Sequence, residues 1–553
     1  MIESFFAALD AVNAVTLSVP VLMTLLGVGL LFTVWTRFCQ YRSLTHGVAL
    51  IAGRGIATSH GDGVLTHFQA LSAALSGTVG LGNIAGVAIA IQFGGPGAVF
   101  WMWMVGFVGM AIKSTEVMLA MLYRDTSDPA NPSGGTMWVA KNGLGSFRPG
   151  WSNFGTFVGA LFALSLIGFA VTGGLMFQAW SVADTTRAYF SVPEWVTGVV
   201  LAVAVGAVLI GGIQRIGSIT DKLVPLMCGI YVICGLYVLA VNSAALPGMF
   251  ALILHCAFSP AEASGAFTGA VFGSAFIFGM KRALFSSESG LGTAPIAHSA
   301  VKTPEPATES VVAGLEPFID TLVVCTVTAL VILSSGVWNR GPVALWDAAP
   351  ALVEAAPGQW QPAATALPAA TGADQLKAGD QVFVVADTGD QVKSRLYGKV
   401  DDAAAAITWK PLAATVAPTL AEPGLFADYP GSTLAARAFD SARPGLGQWM
   451  VTLTVWLFAL STMITYGYYG EQGMVYLFGK ASVKPFRFVW VALILVTCSG
   501  FITTAEQIDA LSTVTLGFML AINLPMMMVL GPRAMRAYHD YFRRLRAGEI
   551  RRS

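Results

Sequence analysis

The chain has 553 residues, of which 55% are hydrophobic and 11% are charged, whereas soluble domains carry roughly 25% charged residues. A chain this apolar cannot cover itself with polar surface in water, so its composition predicts an all-α polytopic membrane protein embedded in a lipid bilayer. The 31 basic and 31 acidic residues balance, and the absence of a basic patch argues against nucleic acid as a partner. The six cysteines lack metal-ligand spacing, so a disulfide or metal scaffold is also excluded.

Eleven apolar runs approach the length of about 20 residues that a helix needs to cross a membrane. In chain order they cover 16–36, 67–92, 98–122, 155–182, 195–213, 222–243, 265–285, 311–335, 448–469, 486–502 and 509–531. We therefore predict 11 transmembrane helices. The distribution of Lys and Arg orients them, because basic residues concentrate in cytoplasmic loops. It favours an outside N-terminus and a cytoplasmic C-terminus, in a bacterial-type plasma (inner) membrane.

A long connection separates the eighth and ninth spans. It begins rich in Ala and Pro and continues with short alternating runs such as DQVFVVADTGDQ, which are typical of short strands. The predicted organisation is a first transmembrane part (1–335), a small β-rich extracytoplasmic module (336–445), a second transmembrane part (446–531) and a basic cytoplasmic tail (532–553). The module either contacts a partner, which the sequence does not identify, or covers the site, or is an accessory without a transport role.

The second span contains the densest cluster of glycines, in the sequence SGTVGLGNIAG (76–86). Glycine inside a helix costs about 1 kcal/mol relative to alanine, so the helix is expected to unwind near Thr78–Gly82. Unwinding would expose carbonyls to a cation and amides to a carboxylate. The alternative is close helix packing, because Gly82 and Gly86 also match the GxxxG spacing.

The seventh span carries glycines as well, and Gly273-Ser274 is predicted to form a second break. It lies five spans after the second span and therefore runs in the opposite direction. Two sets of five helices (spans 2–6 and 7–11), each beginning with a glycine-interrupted helix, match the inverted repeat of secondary transporters. The first span is then an extra leading helix.

Five segments of the chain resemble the alanine/glycine:cation symporter family. They are 76–124, 211–225, GMKRALFSSESGLGTAPIAHSAVKT (279–303), 318–333 and LSTMITYGYYGEQ (460–472). The resemblance implies import of alanine or glycine with sodium, sometimes with protons, on a leucine-transporter-like five-plus-five inverted repeat. The connection at 336–445 departs from the family, where it is usually short.

The resemblance also implies site residues. A Na⁺ site would take backbone carbonyls of Ser76, Val79 and Phe458 and hydroxyls of Ser461 and Thr462, an oxygen shell that suits a hard cation. A second cation site would involve Thr78 and Asn83. The substrate-binding residues would be Thr78, Gly80, Leu81, Gly82 and Gln178, to which the predicted second break adds Gly273 and Ser274.

Ionisable residues inside the spans are candidate gate elements, because charges at membrane depth are costly. Lys113 and Glu116 have the i, i+3 spacing of an ion pair. Arg282 and the neighbouring Lys281 either reach toward the cytoplasmic interface or pair with Glu288 or Glu116. Asp320 on the eighth span either relays a proton or, as favoured here, forms an ion pair between helices.

The sequence thus predicts a secondary symporter that imports alanine or glycine with Na⁺ by alternating access, and not an enzyme. No P-loop or GxSxG motif is present, so neither ATP nor an organic cofactor is predicted. Two alternatives remain open. One is a transporter-like amino-acid sensor that uses the outer module, and the other is coupling to H⁺ in place of Na⁺.

Overall fold

The structure is a computed structural model that describes residues 9, 11–54, 61–128, 132–148, 150–270, 273–371, 376–389, 393–401, 406–429, 431–501 and 505–550. The main helices are α1 (Val19–Trp35), α2 (His67–Thr78), α3 (Ala85–Gly94), α4 (Ala98–Tyr123), α5 (Trp151–Phe169), α6 (Phe177–Phe190), α7 (Glu194–Leu209), α8 (Gly212–Val241), α9 (Leu246–Cys256), α10 (Ser274–Ser287), α11 (Ala294–His298), α12 (Pro306–Ala313), α13 (Thr326–Ser334), α14 (Ser432–Asp440), α15 (Leu446–Phe478), α16 (Val483–Val496) and α17 (Ala505–Arg546). Wider π-helical turns occur at Ser43–Gly47, Val139–Leu144, Ala170–Met176, Phe318–Cys325 and Thr497–Phe501.

Within the described residues, eight helices are long and apolar enough to cross a membrane, and a ninth span is formed if one bent pair is counted as one. Two of the eleven predicted spans do not reach that length. The fifth is the 16-residue helix α7. The seventh was predicted over 265–285 with a break at Gly273-Ser274, whereas α10 begins at Ser274 and has 14 residues. The count of eleven therefore stays a prediction.

The second span is broken where the glycines predict. Helix α2 begins with a capping box, in which the Thr66 hydroxyl accepts from the Gln69 amide and the Gln69 side chain accepts from the Thr66 amide, both at 3.2 Å. It ends at Thr78, the chain becomes extended, and a short 3₁₀ turn leads into α3. The axes of the two halves differ by 62°. The predicted interruption of this helix is confirmed.

The second break lies elsewhere than predicted. Gly273 has a φ of 87° and caps the start of α10, so it begins a helix and does not interrupt one. The chain leaves the helix at Glu288, whose φ of 52° is unusual for a residue with a side chain. It becomes helical again at Ala294. The six residues between α10 and α11 are therefore the interruption, and it begins with the left-handed conformation of Glu288.

In the described part of the connection between the eighth and ninth spans there are ten short strands: β1 (Ala344–Leu345), β2 (Leu352–Ala356), β3 (Gln359–Pro362), β4 (Ala369–Ala370), β5 (Gln381–Asp387), β6 (Lys393–Val400), β7 (Ile407–Trp409), β8 (Leu412–Ala413), β9 (Thr419–Leu420) and β10 (Gly424–Ala427). One antiparallel sheet has the order β4-β1-β10-β5-β6-β7, with β9 also pairing with β5, and a smaller one has the order β2-β3-β8. Alternate residues of β5 and β6 form a small core of their own, which includes Val382, Val384 and Leu396.

Candidate functional site

Four oxygen atoms of the predicted sodium site lie together where α2 meets α15. The Ser461 hydroxyl lies 3.3 Å from the carbonyl oxygen of Ser76 and 2.9 Å from that of Phe458. The Thr462 hydroxyl lies 3.2 Å from the same Ser76 oxygen. The fifth expected ligand, the carbonyl of Val79, belongs to the extended residue that follows α2, with φ of −75° and ψ of 92°. The site therefore offers neutral oxygen atoms, the chemistry that hard cations prefer.

Further hydroxyls hold the last turn of α2 against α15. The Ser76 hydroxyl donates to the carbonyl of Ser461 at 2.8 Å. Thr465 donates to the Ser76 hydroxyl at 2.9 Å and to the Ala73 carbonyl at 3.1 Å. All of these side chains are buried. Thr465 was missed by sequence reasoning, although it follows Ser461 by one helical turn and so shares its face.

Gly80 and Gln178 lie side by side next to the oxygen cluster. A Cβ atom at Gly80 would lie 2.9 Å from the Thr462 hydroxyl and 3.9 Å from Gln178 Oε1. Gln178 donates through Nε2 to the Gly173 carbonyl at 3.2 Å. Its Oε1 is buried without a partner among the described residues. A buried polar atom without a partner costs about 1–3 kcal/mol, so Gln178 presents an acceptor toward the unwound segment.

The residues of the predicted second cation site make contacts within the protein, and the site itself stays a prediction. The Asn83 side-chain oxygen accepts from the Gly80 amide at 2.9 Å. The same contact removes the Gly80 amide from the set expected to hold a carboxylate. The Thr78 hydroxyl faces its own helix, at 3.4 Å from the carbonyls of Ala74 and Leu75. Gly82, by contrast, lies against the second broken helix, where its Cβ position is 3.5 Å from the Cα of Ser286.

Asp320 joins the two broken helices. Its carboxylate accepts from Asn83 Nδ2 at 2.5 Å, from the Ser286 hydroxyl at 2.8 Å and from the Thr321 hydroxyl at 2.8 Å. These donors are neutral, and the structure describes no cation paired with this fully buried carboxylate. The favoured ion pair is therefore wrong. Three neutral donors satisfy the carboxylate in its place and tie the first unwound segment and the end of α10 to the eighth span.

Aromatic rings surround the unwound turn. Phe169 packs edge-on against Phe285 and against Tyr466, with centroid distances of 6.0 and 5.5 Å. Phe285 also lies 3.6 Å from the Cβ position of Gly82. The Cβ position of Gly174 falls on the ring of Tyr466, so only glycine fits there. Sequence reasoning did not identify these rings.

The predicted Lys113–Glu116 pair is wrong. Lys113 pairs with Glu316, at 3.3 Å and fully buried. Glu116 instead accepts from Asn523 Nδ2 at 2.5 Å and from the Gly292 amide at 3.1 Å. The i, i+3 spacing makes an ion pair within one helix possible but does not require it. Here Lys113 pairs with Glu316 from another segment and not with Glu116 on its own helix.

Glu288 links the second break to α15. Its carboxylate accepts from the Tyr466 hydroxyl and, at 2.6 Å, from the Thr293 hydroxyl. Arg282 lies on α10, where its Cδ is 3.9 Å from the Cβ position of Gly86. Its pairing with Glu288 or Glu116 stays a prediction.

Gly273 and Ser274 do not line the unwound turn. The Ser274 carbonyl lies 3.3 Å from the Cβ position of Gly94, the last residue of α3. The whole length of α3 separates this point from Gly80 and Leu81. Their assignment to the substrate site is therefore wrong, and Phe285 and Ser286 at the other end of α10 approach the break instead.

Comparison with known proteins identifies the family. The model of the sodium:alanine symporter family matches residues 2–367 and 413–553. The chain belongs to this family. It is 33% identical over 522 residues to the sodium/alanine symporter AgcS of Methanococcus maripaludis, covering 94% of this chain and 93% of the relative. It is 31% identical over 539 residues to the putative sodium/proton-dependent alanine carrier protein YrbD of Bacillus subtilis, covering 97% and 93%.

One solved structure is also similar, that of MhsT in complex with L-phenylalanine. Its TM-score is 0.48 at 13% identity, with 86% of this chain and 93% of that chain covered. The family, together with the apolar helices, makes this chain an integral membrane protein that couples amino-acid transport to a cation.

Within 2–553 the family model leaves 368–412 of this symporter unmatched, so the internal stretch that departs from the family model is shorter than the predicted 336–445. Strand β6 within it places Arg395 against the transmembrane part. Arg395 donates to the Ala266 carbonyl at 2.8 Å, stacks on Phe383 with 4.4 Å to the ring centre, and lies 3.8 Å from Asp428. Burial raises the pKa of Asp428, and Arg395 opposes that shift. The strands of the unmatched stretch therefore contact the segment of the chain that precedes α10.

The symporter is closed on both sides of the break. On one side, the amides of Val64 and Leu65 donate to the Ala300 carbonyl at 2.8 and 3.1 Å, and Arg124 bridges the carbonyls of Ser299 and Val301 at 2.8 and 2.9 Å. On the other side, α14 lies over α3, and the Cβ position of Gly431 is 3.0 Å from that of Ala85. The unwound turn is consequently buried, which is the arrangement expected of an occluded site.

Proposed function

We propose that this symporter imports alanine or glycine together with Na⁺ by alternating access. The observation that carries this proposal is the convergence of neutral oxygens from Ser76, Phe458, Ser461 and Thr462 at the helix break. Because all four are neutral, a bound Na⁺ keeps its full charge. It therefore attracts a nearby substrate carboxylate.

The unwound segment supplies recognition for a zwitterion. The 3₁₀ turn that leads into α3 begins at Leu81, so the amides of Leu81 and Gly82 lie at the positive end of a half-helix and favour a carboxylate. The carbonyls at the end of α2, together with Gln178 Oε1, are acceptors for the substrate ammonium group. Phe169, Phe285 and Tyr466 restrict the side chain to a small size.

The transport cycle follows from the two closures. Na⁺ binding joins α2 to α15 and orders the unwound turn, which raises the affinity for the amino acid, and by linkage the amino acid raises the affinity for Na⁺. Separation of α14 from α3 opens the site to the outside. Separation of the Leu65–Ala300 contact opens it to the inside. The basic tail is proposed to be cytoplasmic, and proteolysis of that tail in right-side-out vesicles would contradict this orientation.

The test is uptake of labelled alanine by the purified protein in proteoliposomes. An inward Na⁺ gradient should drive saturable accumulation, and unlabelled glycine should compete while leucine and phenylalanine should not. Saturable uptake also separates a symporter from the alternative of an amino-acid sensor, which would bind alanine without accumulating it. Accumulation that ignores the Na⁺ gradient would refute the coupling.

A further inference from the structure

The side chain of Arg395 reaches from the unmatched stretch to three other segments of the chain. It lies on β6 and donates to the Ala266 carbonyl at 2.8 Å, ahead of α10. Its guanidinium carbon is 5.9 Å from the ring centre of Phe93, near the end of α3, which is within the range of a cation–π contact. It also lies 3.8 Å from the carboxylate of Asp428, on the segment that leads into α14. One side chain of the unmatched stretch thus contacts the segments next to α3, α10 and α14.

The charges at this contact are buried. The side chains of Arg395 and Asp428 are 4% and 8% exposed. Arg395 stacks on Phe383, which belongs with Ala266 and Phe426 to a small apolar cluster. Burial of an arginine costs free energy unless its charge is paired and its N–H groups are hydrogen-bonded. The position of Arg395 is therefore set by these partners and is not that of a side chain on a solvated loop.

The strands that carry Arg395 are joined to the helix that closes the outer side. Strand β6 pairs with β5, and β5 pairs with β10, in which Phe383 stands opposite Phe426. Strand β10 ends one residue before Asp428, and α14 begins four residues after it. The Asp428 amide extends the pairing, because it donates to the Gln381 carbonyl of β5 at 2.8 Å. When α14 moves away from α3, it must carry this sheet with it or break these bonds.

Arg395 contacts both partners of the outer closure. That closure is the packing of α14 over α3, where the Cβ position of Gly431 is 3.0 Å from the Cβ atom of Ala85. Phe93 belongs to α3, and Asp428 belongs to the segment that leads into α14. Separation of the two helices moves these contacts of Arg395 apart. An interaction that is complete in only one of two conformations stabilises that conformation by its own free energy, so Arg395 favours the closed state.

We propose that Arg395 is a positioning residue that holds the outer closure shut, so that strands β5 and β6 act as a latch on α14. This inference rests on the proposed function, in which separation of α14 from α3 admits the substrate from the outside. Loss of the guanidinium removes the bond to Ala266 and the contact with Phe93. It also leaves the buried carboxylate of Asp428 without the cation at 3.8 Å. A buried carboxylate without its counter-charge gains free energy by moving toward water, and that movement opens the closure.

The test measures how fast a cysteine under α14 becomes accessible from the outside. Ala85→Cys places a thiol at the contact with Gly431. Intact cells that produce the protein are treated with a membrane-impermeant maleimide. Labelling of the same protein without Ala85→Cys is subtracted, because the chain has six native cysteines. In the Ala85→Cys background, Arg395→Ala should raise the labelling rate by about tenfold or more, because the closed state loses a hydrogen bond to a charged group.

Transport gives a second measurement. In proteoliposomes, Arg395→Ala should lower the maximal rate of Na⁺-driven alanine uptake by about threefold or more, because closure of the outer side is a step of the cycle. The alanine KM should not rise, because the residues proposed to bind the substrate are unchanged. A general loss of structure would raise the KM or abolish uptake.

Two variants serve as controls. Lys399→Gln neutralises an exposed cation of the same strand and should leave the labelling rate unchanged. Asp428→Asn, added to Arg395→Ala, removes the carboxylate that has lost its partner and should return the rate to within about threefold of wild type. If Arg395→Ala does not fold, Arg395→Lys replaces it. That variant keeps the charge but not the planar fork, and should raise the labelling rate by a smaller factor.

The outcomes separate the latch from the proposed function. Labelling of Arg395→Ala at the wild-type rate, or an equal increase in Lys399→Gln, would overturn the latch. An increase that Asp428→Asn does not reverse would overturn the role of this charge pair. Labelling does not require transport, so absence of Na⁺-driven uptake by the wild type would refute the proposed function independently of the labelling result.

Discussion

The hydroxyl of Thr462 is the sharpest point at which to test the cation site. It lies 3.2 Å from the Ser76 carbonyl, on the face of α15 that meets the break. Thr462→Ala removes one neutral oxygen from the shell of a cation, and an interaction of this kind with a charged group contributes about 1.5–3 kcal/mol. Since about 1.4 kcal/mol corresponds to a factor of ten, the Na⁺ concentration for half-maximal alanine uptake should rise by about 10- to 150-fold.

The assay is alanine uptake in proteoliposomes as a function of external Na⁺, with two control variants. Thr462→Ser keeps the oxygen and should restore most of the affinity. Thr454→Ala removes a buried hydroxyl of the same helix that bonds only to the preceding turn, at 2.9 and 3.0 Å, and should leave the Na⁺ dependence unchanged. An unchanged half-saturation in Thr462→Ala, or an equal loss in Thr454→Ala, would refute the assignment.

Three further predictions concern the break and its supports. Gly80→Ala should abolish uptake, because its Cβ would lie 2.9 Å from the Thr462 hydroxyl, whereas Gly86→Ala, with its nearest atom at 3.9 Å, should retain uptake in the same assay. Gln178→Leu should raise the alanine KM by about tenfold, because it removes one hydrogen bond to the charged ammonium group of the substrate. The Na⁺ half-saturation should not change, and a shift in both the KM and the Na⁺ half-saturation would contradict a role of Gln178 in substrate binding. Asp320→Ala removes the carboxylate that accepts from three buried donors and should lower the unfolding free energy by about 3 kcal/mol. A thermal-shift assay in detergent would detect this loss as a lower Tm, and an unchanged Tm would show that the carboxylate does not join the broken helices.

Features that depend on neighbouring residues were predictable from the sequence. The interruption near Thr78–Gly82 follows from glycines within one span, because each weakens the helix locally by about 1 kcal/mol. The resemblance to the family located Ser461 and Thr462, and the structure brings their hydroxyls to the end of α2. The second break was placed incorrectly, since Gly273 caps the start of α10 and the chain leaves that helix only at Glu288.

The pairing of buried charges could not be predicted in the same way. Spacing along one helix favoured Lys113 with Glu116, but Lys113 meets Glu316 from another helix. His67 pairs with Glu309, which lies 242 residues away in the sequence, and no local pattern connects them. A buried charge takes whichever partner the packing of helices brings within reach, because it cannot remain without one in a low-dielectric interior.

The amino-acid sequence by itself determined that this chain crosses a membrane, because hydropathy is a sum over neighbouring residues. It also determined where the second span stops being helical, because backbone preference is a property of each residue and its neighbours. Tertiary structure alone decided which oxygens converge at that break, which carboxyl groups contact His67 and His298, and how the strands around Arg395 dock before α10. These contacts join segments that are distant in the sequence, so they form and stabilise the fold only once the helices have packed against each other.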